Sequence, residues 1–155
     1  MQELDGRIRY AADKYDLDPE LVKALIWRES RFDPNAVGKA GEIGLMQLVP
    51  AGSPGSVSEW SRITGNPPPS KRNLFDVDTN LDIGCWYLAE AMRQYKHYRH
   101  GTELALAAYN AGASRAKRWK PETEDGDVLC RIDIASTRNY VKFIMQRYRS
   151  SQRKK

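Results

Sequence analysis

Residues 18–30 read Asp-Pro-Glu-Leu-Val-Lys-Ala-Leu-Ile-Trp-Arg-Glu-Ser, and Asp33-Pro34 follows three positions later. Asp18 is a good helix N-cap, and proline is tolerated at the first helical position, where its missing N–H costs nothing. The residue before Pro34 is pushed out of helical geometry. The spacing therefore predicts a helix from Pro19 to about Ser30. At about 100° per residue, Val22, Leu25 and Ile26 define one apolar face. Glu29 points between Leu25 and Ile26, whereas Glu20 points to the opposite side. A carboxyl on an apolar face is partly desolvated, which disfavours its charged form and raises its pKa. That is the state in which a glutamic acid can donate a proton to a leaving group. A buried ion pair with Arg28 or Arg31 accounts for the same position, and the wheel alone leaves both readings open.

Working outward, the other segments also read as helices. Leu4, Ile8, Ala11, Ala12 and Tyr15 recur at helical spacing. Ile43–Leu48, between glycines and Pro50, is predicted as a brief helix. Ser56 and Glu59 have capping-box spacing, which predicts a short helix through Trp60. A long helix is expected from Asp78 or Thr79, with Leu81, Cys85, Leu88, Met92 and Tyr95 on one face. Gly101-Thr102 interrupts it, and another helix runs to Gly112. Residues 121–127 are acidic and read as a loop. Ser136 is predicted to cap a last helix with Tyr140, Val141, Ile144 and Tyr148 inward. Nothing alternates as a strand, so the expected class is mainly α.

The chain has 155 residues, 41% hydrophobic and 29% charged, which suits one globular domain with one core. The division expected is one domain over 1–150 and a basic tail over 151–155. No apolar run reaches the roughly 18 residues of a membrane span, and the first residues lack the basic and apolar regions of a signal peptide. A cytosolic protein, an unusual export route and a leader absent from this chain are all compatible with that start. Cys85 and Cys130 stand far apart without a CxxC spacing, leaving two free thiols or a disulfide open. With only His97 and His100 besides, no metal or other cofactor is expected. The net charge of +5 suits an anionic partner, but much of it sits in Arg147, Arg149, Arg153, Lys154 and Lys155. With no helix-turn-helix or aromatic-basic motif, nucleic acid is not an expected partner.

Four blocks in order narrow the reading. Residues 29–37 (Glu-Ser-Arg-Phe-Asp-Pro-Asn-Ala-Val) are followed by Gly44-Leu45-Met46-Gln47-Leu48, then Ala107-Ala108-Tyr109-Asn110-Ala111-Gly112, then Thr137-Arg138-Asn139-Tyr140-Val141. Together they resemble the soluble lytic transglycosylase family, within the goose-type-lysozyme-like superfamily, from about Tyr10 to Tyr148. The resemblance implies a lysozyme-like, mainly α fold with a glycan-binding groove. It implies cleavage of the MurNAc–GlcNAc β-1,4 bond of peptidoglycan without water, the MurNAc 6-hydroxyl closing a 1,6-anhydro ring. Glu29 falls on the family's catalytic glutamate. A two-carboxylate retaining hydrolase keeps its pair about 5–5.5 Å apart; here one residue would protonate the leaving oxygen and then accept the 6-hydroxyl proton.

By the same resemblance, Tyr140 would orient Glu29, and Tyr109 would line the groove beside the N-acetyl group. Met46 and Gln47 would lie against the sugar. Ser30 and Asn110 would contact substrate or else brace helix ends. Partners are then peptidoglycan glycan strands, met by a monomer without stable membrane insertion in the cell envelope or periplasm, or in association with a phage. Three positions depart from the family pattern. Gly38 stands where relatives often carry serine, Glu42 where a small or uncharged residue is usual, and Ser136 where glutamate is frequent. A carboxylate at Glu42 keeps open a goose-type hydrolase that uses water. A non-catalytic peptidoglycan-binding module is the other alternative, and intact Glu29, Gln47, Tyr109 and Tyr140 argue against it.

Overall fold

The computed structural model describes all residues from Met1 to Lys155. Seven α-helices are present: α1 (Gln2–Lys14), α2 (Pro19–Ser30), α3 (Ser56–Thr64), α4 (Val77–Gln94), α5 (Gly101–Ala111), α6 (Ala113–Lys117) and α7 (Ala135–Arg153). Two 3₁₀ turns, Asn73–Phe75 and Leu129–Arg131, complete the regular structure. There is no sheet; only isolated antiparallel bridges join Val37 to Ile43 and Ile43 to Leu48. No helix is long and apolar enough to cross a membrane. The backbone groups into two compact units, Met1–Tyr87 and Leu88–Lys155, with α4 carrying the boundary.

In the first unit, α1 packs on α2. The α2 boundaries are those the sequence predicts: the Asp18 side chain accepts a hydrogen bond from the Glu20 N–H at 2.9 Å, with Pro19 in the first turn. Leu21, Val22, Ala24, Leu25 and Ile26 are buried along it. Helix α4 is capped by Asp76, whose Oδ2 accepts from both the N–H and the hydroxyl of Thr79 at 2.9 Å.

Three expectations fail. Residues 43–48 form no helix; Gly41, Gly44 and Gln47 all hold positive φ (90°, 79° and 51°), which breaks helical geometry. Ser56 begins α3 but caps nothing; its buried hydroxyl accepts from the Val49 N–H at 2.9 Å, and Glu59 pairs with Arg62 instead. Ser136 lies inside the first turn of α7, whose N-cap position is Ile134.

In the second unit, α5 packs on α6 and on α7. Buried Leu104, Ala105, Ala107 and Ala108 of α5, and Val141, Ile144 and Met145 of α7, supply apolar surface. Trp119 is buried, and its indole N–H donates to Asp133 at 2.9 Å. Helix α7 continues through Arg153, so most of the expected basic tail is helical. Cys85 and Cys130 are both free thiols, the first buried and the second exposed.

Candidate active site

Glu29 lies in the last turn of α2 and is half-buried, one turn beyond Leu25 and Ile26, which are fully buried. The helix stops immediately afterwards. Arg31 and Phe32 both adopt left-handed backbone conformations (φ 52° and 62°), uncommon for residues with side chains. The reversal is covered by aromatic contacts. The Trp27 and Phe32 rings stand 5.9 Å apart, and the Arg31 guanidinium lies over the Trp27 ring at 5.1 Å.

The segment from Ala36 to Leu48 is held against this helix end by polar side chains rather than by regular structure. Ser30 Oγ donates to the Leu45 carbonyl at 2.8 Å, with the Ile26 carbonyl also within reach at 3.2 Å. The residue beside Glu29 is therefore tied to the loop. Within the loop, Gly44 N–H donates to Ala36 O (2.8 Å), Gly38 N–H to Glu42 O (2.8 Å), and Ile43 and Leu48 exchange two bonds of 2.9 Å. Gln47 clamps it further: its side-chain NH₂ donates to Ala36 O at 3.2 Å and to Gly44 O at 3.0 Å. The Gln47 amide thus spends both donors on the backbone and keeps its carbonyl oxygen for other partners.

Beneath the loop lies a residue that the sequence did not single out. Asn80 of α4 is 1% exposed. Its Oδ1 accepts from the Met46 N–H at 2.9 Å, and its Nδ2 donates to Ile43 O (2.9 Å) and Leu74 O (2.8 Å). One amide satisfies three buried backbone groups, each costly to leave unpaired. Gly44 is fixed by the same contact. Its φ of 79° favours glycine, and a Cβ there would overlap Asn80 Nδ2 and stand 3.2 Å from Leu74 O. One turn along α4, Gly84 makes room for Met46, whose Cβ would be 2.8 Å from an added methyl. The pattern Asn80-x-x-x-Gly84, a polar and a small residue on one face of an apolar helix, was the available signal.

Met46, which the resemblance set against the sugar, has a side chain with 0% exposure. Its Sδ lies 4.0 Å from Cys85 Sγ. A side chain with no exposed surface cannot present itself to a ligand from solvent, so its observed part is to anchor the loop from within. Burial pushes the Cys85 thiol up to about 12. The Tyr87 hydroxyl is also raised, chiefly by burial and further by the charge of Glu59.

Around Gly38 two acceptors converge. A Cβ at this position would overlap the Glu42 carboxylate and stand 2.6 Å from Gln47 Oε1. Gly38 does not have the positive φ that would itself call for glycine. Its contribution is room for those two oxygens.

In the second unit, the other expected residues lie on α5 and α7. Tyr109 is half-buried, Tyr140 is 1% exposed, and Asn110 is at the surface. Thr137 Oγ1 donates to Asn110 Oδ1 at 2.8 Å, which braces the end of α5 against the start of α7. Gly112 ends α5 with φ 95°. Thus Glu29, Ser30, Met46 and Gln47 share one loop–helix junction, and Tyr109, Asn110 and Tyr140 share a helix pair.

Comparison with known proteins places this arrangement. Residues 6–128 match the family model of the transglycosylase SLT domain. Membrane-bound lytic murein transglycosylase C of Sodalis glossinidius is 33% identical over 117 residues, covering 73% of this chain and 32% of that protein. The protein of the same name from Edwardsiella ictaluri is 30% identical over 151 residues, covering 94% and 41% respectively. The chain thus spans about a third of the length of the first of these relatives. Among solved structures, an inactive glutamate-to-glutamine mutant of the lytic transglycosylase Slt from Pseudomonas aeruginosa superposes with a TM-score of 0.76 at 30% identity, covering 92% of this chain and 23% of that one. The 70 kDa soluble lytic transglycosylase of Escherichia coli gives 0.75 at 24% identity, covering 95% and 24%, a likeness of fold. The chain therefore has the mainly α, lysozyme-like fold implied by its four sequence blocks.

Proposed function

The chain belongs to the transglycosylase SLT domain family, and from that premise we propose that it cleaves the MurNAc–GlcNAc β-1,4 bond of peptidoglycan with Glu29 as its single acid/base. The observation that carries the reading is the placement of Glu29. It is a half-buried carboxyl in the last turn of an apolar helix, held at its next residue by the Ser30–Leu45 bond. As the acid, Glu29 donates its proton to the glycosidic oxygen. As that bond breaks, positive charge develops at the MurNAc anomeric carbon. The new carboxylate then takes the proton from the MurNAc 6-hydroxyl, whose oxygen bonds to the anomeric carbon and closes the 1,6-anhydro ring. Protons balance, and no water is consumed.

The other residues have supporting parts. Ser30 fixes the helix end to the loop. Gln47 holds the loop with its amide nitrogen and offers Oε1 to the sugar, and Met46 supports it from within. Tyr109 and Tyr140 stand at positions that the family resemblance assigns to the site, and Asn110 braces α5 through Thr137. Relatives described as murein transglycosylases support an envelope site of action on glycan strands.

Glu29→Gln keeps the side-chain shape and removes the acid. It should lower the cleavage rate by about 10²–10⁴-fold, the usual span for a general acid–base group, with an unchanged melting temperature. Mass spectrometry of digested peptidoglycan should find anhydro-ended muropeptides with the unmodified protein. Exclusively reducing-end products would sink the transglycosylase reading, and full activity in Glu29→Gln would sink the assignment of the acid.

A further inference from the structure

The carboxylate of Glu42 has no assigned part in the reaction, yet the loop is built around it. Its backbone carbonyl accepts from the Gly38 N–H at 2.8 Å, and its side chain lies where a side chain on residue 38 would have to go. Gln47 Oε1 faces the same space, 2.6 Å from the same virtual Cβ. The Gln47 nitrogen is turned away, committed to Ala36 O and Gly44 O, so the amide orientation is fixed with its acceptor toward Glu42. Two acceptors that share one space repel unless a donor lies between them. No basic side chain plays that part. Glu20 and Glu59 pair with Lys23 and Arg62, and Asp82 with Lys14, whereas Glu42 has no ion pair. Residues 38, 42 and 47 are all half-buried, so the pair of oxygens is accessible from outside. They sit on the loop that Ser30 fastens to the end of the Glu29 helix.

We propose that Glu42 is a substrate-binding residue, its carboxylate and the Gln47 carboxamide oxygen together holding an O–H or N–H donor of a sugar unit of the glycan. Gly38 is the third part of this device, since only a residue without a side chain leaves the carboxylate its place. A carboxylate is a stronger acceptor than a neutral hydroxyl, so the contact contributes both affinity and a preference for donor-bearing positions over anionic ones. The proposal rests on the transglycosylase reading for the identity of the substrate, and its test is separable from it.

The test uses the full chain and soluble, uncrosslinked GlcNAc–MurNAc strands. Glu42→Ala should raise KM about ten- to hundredfold, the range for losing a hydrogen bond to a charged group, with kcat within about twofold and the same anhydro products. Glu42→Gln, which keeps an acceptor without the charge, should fall between. Gly38→Ser should show a similar KM defect by displacing the carboxylate, and combining it with Glu42→Ala should add little, because both remove one contact. An unchanged KM in Glu42→Ala overturns the proposal. So does a Glu42→Ala protein that loses reducing-end products while KM stays constant, since the carboxylate would then serve a water molecule. Additive defects in the double variant overturn the shared role of Gly38. If the unmodified protein makes no anhydro ends, the transglycosylase reading fails, while the KM comparison still decides on Glu42.

Discussion

The loop beside Glu29 and the α5–α7 pair are both built from helices and their connections, but different physics fixes them. At the α2 end, backbone geometry is set by side-chain amides and a hydroxyl: Ser30, Gln47 and Asn80 together hold Ile26, Ala36, Ile43, Gly44, Leu45, Met46 and Leu74. At α5–α7, apolar helix faces meet, and the side-chain bonds across the pair, Thr137 to Asn110 and Arg149 to Glu103, each reach a group at or near the surface. A hydrogen-bonded loop is exact in position but intolerant, because each missing atom leaves a buried group unpaired. A packed helix pair spreads its stabilisation over many weak contacts and yields more gradually.

Asn80 gives the largest expected effect. Asn80→Leu keeps the branching and the number of side-chain heavy atoms yet strands three backbone groups, which should cost about 3 kcal/mol or more. The melting temperature should fall by roughly 6–12 °C for a domain of this size. Cleavage should fall with it as the loop bearing Gln47 slackens. A melting temperature within 2 °C of the unmodified protein, roughly 1 kcal/mol, would erase the contrast between the regions.

Thr137→Val tests the other side. Its hydroxyl is buried, but its acceptor Asn110 lies at the surface and can turn to water. The loss should be about 1 kcal/mol, read by urea denaturation. A loss as large as that of Asn80→Leu would mean that the helix pair also depends on a polar clamp.

The smallest effect belongs to the α4 cap, and pH sharpens it. The Asp76 carboxyl is held below the usual aspartate range, first by the Thr79 backbone N–H and then by its hydroxyl. Because the folded pKa is the lower one, the cap's contribution is fully present above the unfolded pKa. It is lost as pH falls through the folded value. Asp76 is exposed, so Asp76→Ala should cost about 0.5 kcal/mol near neutrality, the low end for a lost cap. Its melting temperature should approach that of the unmodified protein as pH falls below the usual aspartate range. A gap that widened in acid would contradict the sign.

Local signals were legible in sequence, and distant ones were not. Asp18-Pro19 set the start of α2 because cap and helix are adjacent, and the same helix wheel separated Glu29 from Glu20. Residues 43–48 misled because their conformation is dictated by Asn80, more than thirty positions away, against a glycine at positive φ. Ser56 and Ser136 have the composition of caps, but a hydroxyl accepts from whichever N–H the fold brings to it, and for Ser56 that is Val49. Ser30 has the chemistry of a substrate contact or of a brace, and its bond to Leu45, fifteen positions on, is visible only in the fold. Met46 has the chemistry of a sugar contact, but Gly84 opens a seat for its side chain in the core. Gly38 registered as a missing hydroxyl, although its geometry matters as space for Glu42.

The buried thiol of Cys85 gives this protein an internal clock for its own opening. A group held near 12 and shielded from solvent is almost never a thiolate at neutral pH, so alkylating reagents should find only Cys130 while the fold is intact. A second label can attach only when α4 lifts away from Met46. The slow arrival of that label, followed by mass, would time the motion of the helix whose asparagine underlies the loop beside Glu29.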